Sequence, residues 1–91
     1  MKLKTISKEL GLSEEELLKK SIKSYLEAEL RKINAEIHDI YIKYNVKSLL
    51  ELDEKINKGQ LKETETFQDF TKLDYLEAQK EKLEKLLKTI T

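Results

Sequence analysis

"SEEELLKKSIKSYLEAELRKINAEIHDIYIKYN", residues 13–45, decides the fold. The stretch contains neither glycine nor proline, and it opens on Ser13 with Glu16 three residues on. That S-x-x-E spacing is a capping box, in which a serine oxygen and a carboxylate satisfy backbone N–H groups left unpaired by the first turn of a helix. Leu12 and Leu17 stand at the positions of a hydrophobic staple around the cap. Leu18, Ile22, Leu26, Leu30, Ile33, Ile37, Ile40 and Tyr44 then recur every three or four residues, so they share one side of a helix. The pattern predicts a single helix of about 31 residues ending at Asn45. An apolar stripe of that length needs an equally long partner.

The partner lies at the other end of the chain. In "KLDYLEAQKEKLEKLLKTI", residues 72–90, the side chains of Leu73, Leu76, Lys80, Leu83, Leu87 and Ile90 follow a 3-4-3-4-3 spacing, a coiled-coil seam with one polar interruption. A lone lysine at such a position favours alignments that let its ammonium group reach solvent or a carboxylate, so Lys80 reads as a register device. Between the two long segments, "YNVKS" (44–48) breaks the first helix. Ser48 and Glu51 form a second capping box, and Leu49, Leu52 and Ile56 give one buried face to a short helix running to about Lys58 and closed by Gly59. "QLKETET" (60–66) reads as a loop, with Thr64 or Thr66 capping the last helix and Phe67 and Phe70 in its first turns. At the N-terminus "TISKEL" (5–10) reads as a short helical turn stopped by Gly11. Acid-before-base pairs at i,i+4, such as Glu15–Lys19, Glu27–Arg31, Glu51–Lys55 and Glu81–Lys85, support the helices. The expected architecture is all-α: one domain, residues 1–91, with two long helices folded back as an antiparallel hairpin roughly 35 Å long. A two-helix hairpin buries little, so dimerisation into a bundle through the leucine-isoleucine seams is expected.

Composition narrows the function. Eighteen Lys plus Arg balance eighteen Asp plus Glu, which removes any overall field for attracting nucleic acid or an anionic membrane. Cysteine is absent, excluding disulfides and thiolate chemistry, and no run approaches the ~18 apolar residues of a membrane span. The reading is a soluble cytoplasmic protein, and the Lys/Glu content leans towards a thermophile. His38 is the only histidine and has no ligand-spaced companion. No glycine-rich turn is available to cradle phosphate or an oxyanion. Neither an enzyme nor a cofactor or metal site is expected.

Two surfaces remain as binding candidates. "TFQDFTKLDYLE" (66–77) interleaves Phe67, Phe70 and Tyr75 with Asp69, Asp74 and Glu77; large aromatics rimmed by acid suit a basic protein partner, and the alternative is that Phe67 and Phe70 plug the hairpin's open end as core. Residues 51–77 hold eight acids against four lysines, a local net of −4. At the N-terminus, "ISKELGLSEEELLKK" (6–20) resembles a helix-turn-helix, with Ile6, Leu10, Leu12 and Leu17 apolar around Gly11, and "GLSEEELLKKSIKSYLE" (11–27) resembles the second helix of ribbon-helix-helix repressors. Lys4, Lys8, Lys19 and Lys23 would contact phosphate in that reading, giving a small dimeric DNA-binding regulator as the alternative function. Glu14, Glu15 and Glu16 stand where the recognition helix would meet DNA and repel it. A structural coiled-coil adaptor is a further alternative.

Taken together, "ISKELGLSEEELLKKSIKSYLE", "KYNVKSLLELDEKINKG" and "TFQDFTKLDYLEAQKEKLEKLL" resemble small archaeal helical proteins that look like type II antitoxins. The resemblance implies a non-enzymatic protein that masks a basic toxin, with Phe67, Phe70 and Tyr75 as anchors and Asp69, Asp74 and Glu77 as the acidic rim.

Overall fold

The computed structural model describes residues 2–90. Four helices follow in order: α1 (Leu3–Glu9), α2 (Glu14–Tyr44), α3 (Leu49–Asn57) and α4 (Glu63–Ile90). α2 and α4 pair as an antiparallel hairpin, α3 packs on α4 across the closed end, and α1 lies on the start of α2. The ion pairs Lys43–Asp69 and Lys72–Glu36 mark the register, which brings the end of α4 level with the second and third turns of α2. The first turns of α2 and all of α1 therefore project beyond the hairpin, and the molecule is 61 Å long rather than the length of the hairpin alone.

One stop signal ends the first three helices. Asn45 (φ 52°), Gly11 (φ 71°) and Gly59 (φ 74°) adopt the left-handed conformation. Behind each, a backbone N–H reaches back to the carbonyl five residues earlier: Val46 to Tyr41 at 2.9 Å, Leu12 to Ser7 at 2.9 Å and Gln60 to Lys55 at 3.0 Å. This is the Schellman arrangement, which satisfies carbonyls that the last turn leaves unpaired. At the starts, Ser13 Oγ accepts from Glu16 N at 3.0 Å and Ser48 Oγ accepts from Glu51 N at 3.1 Å, as their spacing predicts. The reciprocal halves differ from the standard box. Glu16 receives the Ser13 hydroxyl at 3.1 Å, and Glu51 accepts from the backbone N–H of Lys47.

Two local expectations are corrected. α4 begins at Glu63, so Thr64 and Thr66 lie inside the helix and cap nothing; Thr66 is buried, and its hydroxyl donates to Lys62 O at 2.7 Å. Lys55 does not pair with Glu51 but donates to the carbonyls of Tyr44 and Asn45 at 2.9 and 3.1 Å. A cation placed on the C-terminal carbonyls of α2 meets the negative end of that helix and ties α3 to it.

The core is concentrated where α3 crosses the hairpin. Ile37, Ile40, Val46, Leu52, Leu73 and Leu76 form it, with Leu49, Ile56, Leu61 and Phe70 packed around them, and Leu52 and Leu73 are fully buried. Towards the open end Leu26 is still buried, but Leu18 and Ile22 are 47% and 48% exposed. The stripe is thus continuous in sequence and unevenly buried, because the third element that covers it exists at one end only.

Candidate docking surface on α3 and α4

The six residues singled out on α4 divide into two groups. Asp69, Leu73 and Leu76 recur at i, i+4 and i+7, so Asp69 sits on the seam, where its carboxylate accepts from Lys43 Nζ at 2.7 Å and from the Tyr44 hydroxyl at 2.5 Å. These two hydrogen bonds, Lys43 first, hold the Asp69 carboxyl below its ordinary pKa. Glu77 accepts from the Tyr41 hydroxyl. Burial, and then this acceptor, push the Tyr41 phenol up to about 12. Asp69 and Glu77 therefore fasten α4 to α2 through charge-assisted bonds. Phe70 is half-buried against the core.

Phe67, Tyr75 and Asp74 face outward, with Phe67 and Tyr75 61% and 62% exposed. Phe67 joins residues from α3. A shallow cleft of about 130 Å³ is lined by Asp53, Ile56, Asn57, Glu63, Phe67 and Phe70. A second hollow of about 410 Å³, sharing Asp53 and Phe70 with the first, is lined also by Leu49 and Leu50. Leu50 is 67% exposed. The two hollows make one continuous surface in which Leu50, Phe67 and the edge of Phe70 are apolar and Asp53 and Glu63 are acidic. Ser48 starts α3 in the phase that turns Leu49 and Leu52 inward and leaves Leu50 outward. Gly59 then turns the chain so that α4 can run back beside it. Sequence reasoning missed Leu50 and Asp53. The signal available was Leu50 itself, which falls between the two inward leucines of α3 and has no place on that helix's buried face.

The other candidates lie apart from this surface. Lys4 and Lys8 are exposed on α1, and Lys19 and Lys23 are exposed near the start of α2. Residues 3–9 are helical, where a ribbon-helix-helix protein carries a strand. His38 is exposed on α2. Among the described residues no group of three or more His, Asp or Glu is placed to hold a metal ion, and no helix is long and apolar enough to cross a membrane.

Residues 1–91 match the family described as "Uncharacterized protein MJ0235 family". The chain belongs to that family. Its relative "Uncharacterized protein MJ0235" from Methanocaldococcus jannaschii is 37% identical over 76 residues, covering 84% of this chain and 93% of the relative. The match places this MJ0235-family chain beside an archaeal protein of nearly the same extent. No solved structure matches it.

Proposed function

We propose that the protein is a non-enzymatic binding module that docks a basic protein partner through the α3–α4 surface, masking that partner as an antitoxin masks its toxin. The observation that carries the reading is the exposure of Leu50 and Phe67 side by side with Asp53 and Glu63 on a rigidly backed surface. Large exposed apolar side chains rimmed by one sign of charge are the composition of an interface core and its rim. The fully buried Leu52 and Leu73 behind them keep the surface preorganised, which lowers the entropy cost of docking. The local net of −4 over residues 51–77 supplies the preference for a basic partner.

The test takes the purified products of the neighbouring genes as candidate partners. Calorimetric titration at increasing ionic strength is expected to show one-to-one or simple-ratio binding that weakens as salt rises, because charges on an exposed rim are screened. Binding that ignores salt, or no binding, contradicts the proposal.

A further inference from the structure

We propose that the cleft between α3 and α4 receives the side chain of one arginine from the docked partner. This rests on the proposed docking through that surface and names the group that the cleft takes in. Asp53, Ile56 and Asn57 recur at i, i+3 and i+4 on α3, and Glu63, Phe67 and Phe70 at i, i+4 and i+7 on α4, so each helix turns one stripe towards the gap. Ile56 and the two phenylalanines make the cleft apolar, and each wall carries one carboxylate. Its volume of about 130 Å³ is room for about four waters at ~30 Å³ each, and falls below the ~300 Å³ at which small-molecule pockets begin. A helix or a loop is too large for it; one long side chain is not.

The charges on the walls select that side chain. Asp53 is half-buried, and the residues three and four positions from it are Leu49, Leu50, Ile56 and Asn57, so no base on its own helix can neutralise it. The Asn57 amide donates to its carboxylate at a long 3.5 Å. Glu63 has Gly59, Gln60, Thr66 and Phe67 at the same spacings. Among the described residues neither carboxylate joins an ion pair, whereas Glu65 nearby holds Lys62. Glu63 also suits the start of α4, but Asp53 stands in the middle of α3, where the helix dipole gives a carboxylate nothing. A half-buried carboxylate without a cation, set among apolar side chains, is the complement of a long cationic one, whose hydrocarbon stem lies along Ile56 and Phe70 while its charge meets the two acids. Arginine fits better than lysine. Its planar guanidinium stacks on aromatic rings, offers paired N–H groups to carboxylates, and is more weakly hydrated than an ammonium group.

Isoleucine-methyl NMR on the full chain tests this, with acetyl-arginine methylamide as the probe and its citrulline analogue, of the same shape without the charge, as control. The arginine probe is expected to move the Ile56 methyl signals saturably, with a millimolar dissociation constant, since so small a molecule makes few contacts. Phe67→Ala and Asp53→Asn should each weaken it about threefold or more, while the core residues Ile37 and Ile40 keep their shifts. The citrulline analogue should leave Ile56 unmoved. No saturable movement of Ile56, equal movement by citrulline, or undiminished binding by both variants overturns the proposal. A neighbouring gene's product that binds the parent and not the Phe67→Ala chain, while the probe leaves Ile56 unmoved, also overturns it and leaves docking through the surface standing. A probe that fills the cleft when no neighbouring product binds supports the arginine site and rejects the docking function proposed above.

Discussion

Asp69 is the residue whose position the sequence most misleads about and whose chemistry is easiest to measure. Lying between Phe67 and Phe70, it reads as part of an acidic rim, yet its spacing to Leu73 and Leu76 puts it on the seam, and that spacing was legible all along. What no single-chain pattern reveals is that Lys43 and Tyr44 would face it from 26 and 25 residues away. Its carboxyl pKa is lowered in the folded state, so the stabilisation it gives is present above the unfolded carboxylate value and is lost as pH falls through the folded one. Acid titration followed by thermal melting should therefore show a drop in Tm below roughly pH 4, and Asp69→Asn should lower the neutral Tm and flatten that drop. Tyr41 works in the opposite direction. Its phenol is raised to about 12, so its stabilisation is present below the unfolded value near 10 and is lost as pH climbs towards the folded one. Tyr41→Phe should reduce the alkaline loss in the same melts, the remainder coming from Tyr44, whose phenol is likewise raised by burial and then by its bond to Asp69. Among apolar residues, Leu52→Ala or Leu73→Ala should cost about 2–5 kcal/mol in denaturant unfolding, since each side chain is fully enclosed and leaves a cavity.

At the scale of elements, the helices were legible because their stop and start signals are chemical and local. Ser13 and Ser48 cap as their spacing requires, and Gly11 and Gly59 stop as glycines do. Asn45 is the informative case. It holds a left-handed conformation that glycine adopts freely and β-carbon residues resist, so Asn45→Gly should leave unfolding free energy nearly unchanged, while Asn45→Ala should cost about 1 kcal/mol. The start of α4 was not legible. Threonines ahead of an aromatic run look like caps, but Thr66 is buried and its hydroxyl bonds back to Lys62 O, so the helix begins earlier. Lys55 was also misplaced, because an i,i+4 carboxylate is visible in sequence and the bare carbonyls at the end of α2 are not.

The whole molecule is a rod with unlike ends. Residues 2–23 hold six lysines against four glutamates and residues 80–88 hold four lysines against two, while residues 51–77 carry a net of −4. Antiparallel pairing of α2 and α4 gathers the first two groups at the open end and leaves the third around α3, a separation that the overall neutrality of the sequence conceals. The all-α hairpin was thus readable from periodicity, but the uneven distribution of core and charge along it depends on where α4 ends relative to α2, which only the packed register decides. The proposed docking function rests on the acidic, well-backed end. Its most direct measurement is titration of a neighbouring gene's basic product into the parent, Phe67→Ala and Asp53→Lys chains. Both substitutions are expected to weaken binding by about 2 kcal/mol or more with helix content unchanged; affinities equal to the parent's for both would rule out docking through this surface.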